Sequence, residues 1–159
     1  METETDLLFR EMQPGDKAQM TAFYAALGKE STAFFNVGRG NENRTMDFFS
    51  GGRPFHKFYV AETGGVVAGH LFIWDTDCRI PWLGVAVRDD YRGRHIGQFM
   101  LRSVEALLAG QGYGGLLLRT AQQNIAARRL YEKCGYTHVG THPSGELLYL
   151  RRFPTEAAI

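Results

Sequence analysis

Apolar positions recur along the chain with two different spacings. Seven short runs rich in β-branched, aromatic and leucine residues, bounded by glycine, proline or polar turns, predict β-strands. They occupy residues 6–12, 58–62, 66–74, 80–87, 115–120, 136–141 and 146–153. Apolar residues at three- and four-residue steps predict amphipathic helices over residues 96–108 and 124–133. A further helix is predicted over residues 17–27, with Asp16 placed to cap it.

The connections between these elements favour antiparallel pairing at two places. Thr63-Gly64-Gly65 predicts a tight hairpin turn, and residues 142–145 join the last two strands as a second hairpin. Residues 28–53 alternate aromatic with polar and glycine residues, which suggests a loop with a short helix near residues 43–49. That segment either shapes a substrate pocket or caps the core.

Length and composition are typical of one compact domain. The chain has 159 residues, of which 44% are hydrophobic and 13% aromatic, and no repeat or linker divides it. We therefore expect residues 1–159 to form a single domain. A formal charge of +1 gives no general reason to expect a nucleic-acid or membrane partner.

Cysteine and histidine usage points to a reduced compartment without a metal. Cys78 and Cys134 are too few for a disulfide framework, and the five histidines lack ligand spacing. The acidic start at residues 1–6 does not resemble a secretion signal, and no apolar stretch is long enough to span a bilayer. The expected location is the cytoplasm.

The segment between the strand at 80–87 and the following helix predicts an anion site. A helix N-terminus offers free backbone N–H groups, here beside Arg92 and Arg94. Gly93 and Gly97 allow a sharp turn and a close approach of phosphate to the backbone. The defining residues of a P-loop and of a dinucleotide-binding fold are both missing, which excludes these two nucleotide sites.

Two blocks of sequence resemble the GNAT acetyltransferase family. Residues 85–97 read Val-Ala-Val-Arg-Asp-Asp-Tyr-Arg-Gly-Arg-His-Ile-Gly, similar to its acetyl-CoA motif, and Arg92 and Gly97 match the ends of that motif. Residues 124–136, Asn-x-x-Ala-x-x-Leu-Tyr-Glu-Lys-Cys-Gly-Tyr, resemble the second block. The resemblance implies an α/β fold: a mixed, mostly antiparallel central sheet of about six to seven strands flanked by about four helices.

The same resemblance implies acetyl-CoA as cosubstrate and assigns residues to it. Tyr131 would be the general acid that protonates the departing thiolate, in a direct transfer without an acyl-enzyme. The cofactor-binding positions would be Val85, Val87, Arg92, Gly93, Arg94, His95, Ile96, Gly97, Gln98 and Asn124. Gly84 would mark a bulge in the strand that binds the pantetheine arm.

His95 departs from the family pattern, because it occupies the position of the first glycine of the motif. We expect it to keep a right-handed backbone, with its imidazole directed away from the pyrophosphate or used as an extra phosphate contact. The family's glutamate positions hold Pro81 and Arg119, so no direct carboxylate base is identified. Four residues could act as a base through water, although each is more typical of a solvated or hydrogen-bonded strand residue: Glu62, His70, Asp75 and Glu146.

The predicted reaction is acetylation of a primary amine on a small molecule or peptide. Arg119 is a candidate contact for an acidic group on the acceptor, and Cys134 is more typical of inert packing than of a nucleophile. Aromatic residues that line either the acceptor pocket or the core are Phe34, Phe35, Trp74 and Trp82. The alternative is a non-catalytic GNAT-fold module that binds acyl-CoA, and a homodimer is compatible with either function.

Overall fold

The computed structural model describes residues 6–154, and within them seven strands form one sheet flanked by five α-helices. The strands are β1 (Leu8–Glu11), β2 (His56–Thr63), β3 (Val66–Trp74), β4 (Trp82–Val87), β5 (Gly115–Thr120), β6 (Thr137–Thr141) and β7 (Leu147–Arg152). The helices are α1 (Lys17–Ala25), α2 (Lys29–Phe35), α3 (Gly40–Phe49), α4 (Ile96–Gly110) and α5 (Ile125–Lys133). Most of the acidic start lies outside the described residues.

The sheet order is β1-β2-β3-β4-β5-β7-β6, and every neighbouring pair is antiparallel except β4 and β5. The mixed, mostly antiparallel sheet predicted from the resemblance is therefore confirmed. The hairpin between β2 and β3 forms as expected, with φ of 56° at Gly64 and 79° at Gly65.

Residues 28–53 differ from the prediction, because they contain two helices rather than a loop with one. The chain leaves α2 and turns through Gly38, at φ 59°, into α3. Many of the α3 side chains are polar and half-buried, so its sequence carries only a weak apolar stripe. This pair brings the number of α-helices among the described residues to five.

Asp16 does not cap α1, contrary to the sequence prediction. Its carboxylate accepts the Gln13 N–H at 2.7 Å and both arms of the Arg10 guanidinium at 2.8 and 2.9 Å. The Arg10 hydrogen bonds hold the pKa of Asp16 below its ordinary value. The carboxylate therefore ties the end of β1 to the start of the helical segment.

Each face of the sheet is covered by its own apolar cluster. On one face α4 packs through Met100, Leu101 and Val104 together with Tyr131 of α5. On the other face α1, α2 and α3 pack around Phe23 and neighbouring aromatic residues. The space between β4 and β5 is reached from both layers.

The parallel pair β4–β5 separates soon after it begins. Its register contains the single pair Trp82 and Leu117, after which the two strands diverge. The predicted bulge at Gly84 is wrong, since β4 pairs with β3 in continuous register. Gly84 is instead required because a Cβ there would lie 2.5 Å from Cζ of Phe72.

Candidate functional site

A cavity of about 740 Å³ opens where β4 and β5 diverge. Its wall is formed by β4, the turn that follows it, the starts of α4 and α5, and parts of α2 and α3. Nine of the ten predicted cofactor residues line this cavity: Val85, Val87, Arg92, Gly93, His95, Ile96, Gly97, Gln98 and Asn124. Tyr131 lines it as well.

The turn before α4 presents backbone N–H groups to the cavity. The first intrahelical acceptor is the His95 carbonyl, which takes the Phe99 N–H at 3.0 Å, so the N–H groups of Ile96, Gly97 and Gln98 precede it. Gly93 has φ of 78°. A left-handed residue in a turn directs the backbone N–H groups around it into one concavity, which is suited to an anion.

His95 adopts the left-handed conformation, with φ 60° and ψ 23°, and the expectation of a right-handed backbone is wrong. The turn geometry is kept although the residue is not glycine. The cost is about 1–2 kcal/mol of backbone strain. Gly97 is required for a different reason, because a Cβ there would lie 2.8 Å from Cδ2 of Leu130 on α5.

Hydrogen bonding fixes which way the backbone of β4 faces. The Arg88 N–H bonds to Ala68 on the β3 side, and the Leu117 N–H bonds to Pro81 on the β5 side. Because alternate residues of a strand direct their N–H and C=O groups to opposite edges, Val85 and Val87 direct theirs into the gap beside β5. These groups can bind an extended amide-bearing chain as an extra strand would.

Asn124 caps α5, and its side-chain oxygen accepts the Ala127 N–H at 3.3 Å. The cap fixes the direction of α5, which carries Tyr131 two turns further on. Tyr131 is 7% exposed, and its ring packs 5.9 Å from Tyr136 and 6.0 Å from Tyr149, measured between centroids. None of the hydrogen bonds within residues 6–154 involves its hydroxyl. Burial raises the pKa of this hydroxyl, which keeps it protonated at neutral pH.

The two arginines of the turn are placed differently. Arg92 lines the cavity, hydrogen-bonds to Ser31 on α2 and lies 3.6 Å from Asp89. Asp89 also accepts the Ser31 hydroxyl at 2.8 Å, which links α2 to the turn. Arg94 does not line the cavity, and its Cζ lies 4.8 Å from the centroid of the Tyr91 ring.

Three of the four aromatic residues predicted near the acceptor line the cavity, namely Phe34, Phe35 and Trp74, while Trp82 does not. Arg44 of α3, which belongs to no sequence motif, lines the cavity and lies over the ring of Trp74. Its position became apparent only from the folding of residues 28–53 into two helices. No periodic pattern in the sequence marks it.

Among the residues considered as bases, Glu146 lines the cavity and lies 3.5 Å from Arg119. Glu62 pairs with Arg10 instead, and Asp75 lies outside the lining. His70 is fully buried between Tyr59 O and Thr45 Oγ1, and burial lowers its pKa to about 4.

Two chemical possibilities are not supported by the side-chain arrangement. Cys134 is buried outside the cavity lining, and burial raises the pKa of its thiol, which opposes a nucleophilic role. Within residues 6–154, His, Cys, Asp and Glu side chains form no group of three or more that could hold a metal ion. In the same range, no helix is both long and apolar enough to cross a membrane.

A known protein family matches most of the chain, including the turn that follows β4. Residues 20–136 match the family described as Acetyltransferase (GNAT) family. The chain belongs to the GNAT family. The match includes both blocks identified in the sequence and extends upstream to α1.

Curated relatives of this GNAT protein are similar over about half of the chain. A Bacillus subtilis (strain 168) protein with the provisional name ribosomal protein bS18-alanine N-acetyltransferase is 29% identical over 82 residues, 52% of this chain and 54% of the relative. Human N-acetylaspartate synthetase is 29% identical over 89 residues, 55% of this chain and 30% of the relative. The matched region thus spans about half or less of these relatives.

Solved structures share the fold over nearly the whole chain. The PaiA N-acetyltransferase of Thermoplasma acidophilum, solved in complex with coenzyme A, superposes with a TM-score of 0.72. It is 14% identical, and the similarity covers 92% of this chain and 99% of that chain. At this identity the comparison establishes a common fold.

Proposed function

We propose that this protein transfers the acetyl group of acetyl-CoA directly to a primary amine of a small molecule or peptide. The observation that supports this most strongly is the cavity at the divergence of β4 and β5, because one space joins the N-terminus of α4, the unpaired edge of β4 and Tyr131. The family membership and the N-acetyltransferase names of the relatives agree with it.

The residues of the cavity fit the chemistry of a CoA thioester. The N–H groups at 96–98 suit the pyrophosphate, and Arg92 adds positive charge beside them. The edge of β4 at Val85 and Val87 suits the amide groups of the pantetheine arm. In the reaction the amide C–N bond forms and the thioester C–S bond breaks. Tyr131 gives its proton to the leaving sulfur, the amine loses a proton to solvent, and Tyr131 then takes up a proton from solvent.

Deprotonation of the acceptor remains a requirement of this chemistry. An amine with a pKa near 10.4 is largely protonated at pH 7, which costs about 4.6 kcal/mol. Glu146 is the one base candidate from the sequence that lines the cavity, where its carboxylate lies 3.5 Å from Arg119. The names of the relatives, one for a protein alanine and one for N-acetylaspartate, do not choose between acceptor classes.

The proposal is tested first by binding of CoA and then by turnover. Acetyl-CoA and CoA should raise the melting temperature of the native protein, since a ligand that binds only the folded state stabilises it. Added salt should weaken that binding, as expected for phosphate contacts. Thiol release from acetyl-CoA across a panel of amines then tests turnover. Stabilisation by CoA without thiol release on any amine would favour the non-catalytic acyl-CoA-binding alternative.

A further inference from the structure

The guanidinium of Arg44 lies over two aromatic rings that line the cavity. Its Cζ lies 4.5 Å from the centroid of the Trp74 ring and 5.3 Å from that of Phe72. A guanidinium that stacks on aromatic rings keeps its N–H donors in its own plane, pointing away from the stack. The two rings contact the guanidinium without accepting conventional hydrogen bonds from it, so its fork of N–H donors stays available for a ligand.

Among the described residues, no protein group pairs with the guanidinium of Arg44. Within residues 6–154, no carboxylate lies within ion-pair distance of Arg44, and its Nε is buried without a hydrogen-bond partner. The other two arginines that line the cavity are each paired, Arg92 with Asp89 and Arg119 with Glu146. A buried donor without an acceptor is unfavourable, so a ligand oxygen at this point would gain a pre-oriented partner.

The surroundings of Arg44 favour an anion. Burial, and then the positive charge of Arg53, lower the pKa of the guanidinium, and Arg119 acts in the same direction. Tyr24 and Asp75 oppose this only in part. A guanidinium stays charged in proteins, so the repulsion among these cations persists until a negative group enters.

The position of Arg44 separates it from the α4 turn. The two rings under Arg44 belong to β3, where Phe72 is opposite Gly84 and Trp74 is opposite Trp82 of β4. Arg44 is therefore level with the first half of β4. The α4 turn follows the other end of that strand. Both ends open into the same cavity as Tyr131. Arg44 therefore lies at the end of the cavity remote from the proposed pyrophosphate site.

We propose that Arg44 binds a carboxylate of the amine acceptor. The acceptor is then an amine that also carries a carboxylate, either a free amino acid or a peptide that begins with an acidic residue. This inference rests on the proposed acetyl transfer for the direction of the reaction. The binding of the carboxylate itself can be measured without turnover.

The test uses acceptors matched in shape and different in charge. Alanine is compared with alaninamide, and the C-terminally amidated peptide Asp-Ala-Ala with Asn-Ala-Ala. Calorimetry on CoA-saturated protein gives binding, and thiol release from acetyl-CoA gives kcat and KM. In at least one pair, we expect the carboxylate member to bind at least tenfold more tightly and to have the lower KM. The pair that shows the preference distinguishes a free amino acid from a peptide.

Arg44→Met retains an apolar stem over the rings and removes the charge. It should raise the Kd and KM of the preferred carboxylate acceptor at least tenfold, with the neutral member and CoA binding unchanged. Arg44→Lys should recover part of the preference, because it restores the charge but not the fork. Arg39→Met is the matched control, since Arg39 lies just before the same helix, pairs with Glu42 and does not line the cavity, and it should retain the preference.

Failure of this inference is distinguishable from failure of acetyl transfer. Equal binding within both pairs would overturn the role of Arg44, whether or not the protein turns over. An equal loss for charged and neutral acceptors in Arg44→Met would show that the residue only supports the rings. If no amine is acetylated but carboxylate members still bind through Arg44, the acetyl-transfer proposal fails and the carboxylate site stands.

Discussion

Replacement of Tyr131 by phenylalanine separates a catalytic role from a packing role. No hydrogen bond within residues 6–154 involves the Tyr131 hydroxyl, so its removal breaks none of the hydrogen bonds in that range, and the ring contacts with Tyr136 and Tyr149 stay in place. We expect the free energy of unfolding to change by no more than about 0.5 kcal/mol. If the hydroxyl protonates the departing thiolate, kcat should fall roughly 10²- to 10⁴-fold, or about 3–5 kcal/mol, with CoA affinity nearly unchanged.

Tyr149 provides the matched control for this substitution. It lies beside Tyr131, and its hydroxyl donates to Glu132 Oε2 at 2.8 Å and accepts from Arg128 Nε at 3.3 Å, outside the cavity lining. Tyr149→Phe should therefore cost about 1–2 kcal/mol of stability and leave kcat near the wild-type value. Tyr131→Phe should therefore lower turnover with little effect on stability, and Tyr149→Phe should lower stability with little effect on turnover.

The assays are urea unfolding, CoA titration and steady-state thiol release on each variant. Normal turnover by Tyr131→Phe on an active wild-type background would refute its role as the general acid. A parallel loss of CoA binding and kcat would show instead that Tyr131 shapes the cavity. Either result would leave the family membership intact and remove Tyr131 from the mechanism.

Three further substitutions test the structure itself. His70 has a pKa of about 4 in the folded state against about 6.5 unfolded, so the unfolded chain binds the extra proton and stability falls as the pH drops from 6.5 to 4. The loss of stability over this pH range amounts to about 3 kcal/mol. In urea unfolding at several pH values, His70→Gln should lack this part of the pH dependence of stability. An unchanged pH dependence in His70→Gln would contradict the lowered pKa of His70. The Tyr136 hydroxyl is buried and has no hydrogen-bond partner among residues 6–154, so Tyr136→Phe should raise the melting temperature by about 2–4 °C. A clear decrease would show that this hydroxyl forms a stabilising hydrogen bond. His95→Gly should stabilise by up to about 1 kcal/mol in urea unfolding, because relief of the left-handed strain exceeds the entropy cost of glycine; a loss of stability would indicate a right-handed His95.

The strands and the two helices with apolar stripes could be predicted from the sequence, because their burial imposes a period of two or of about three and a half residues. The turn at Gly64 and Gly65 could also be predicted, since a tight hairpin turn requires positive φ, which glycine adopts without strain. Gly93, with φ of 78°, meets a backbone requirement of the same kind, whereas Gly97 is required by its packing against Leu130.

Features that depend on contacts between distant segments could not be predicted in this way. Gly84 indicated a bulge in sequence, but only the fold places the Phe72 ring against it. The left-handed backbone of His95 could not be predicted, because local preference disfavours that region and the surrounding turn imposes it. Arg44 carries no sequence signal, because its significance arises from rings that belong to β3.

The most direct test of acetyl transfer to an amine is to measure the mass of the acceptor after incubation with acetyl-CoA. The wild-type protein should convert at least one member of an amine panel to a product heavier by one acetyl group, with one CoA thiol released for each product formed. Tyr131→Phe should form that product far more slowly at saturating acetyl-CoA, while Tyr149→Phe forms it at a near-normal rate. Thiol release without an acetylated amine, or no product from any amine despite CoA binding, would contradict the account.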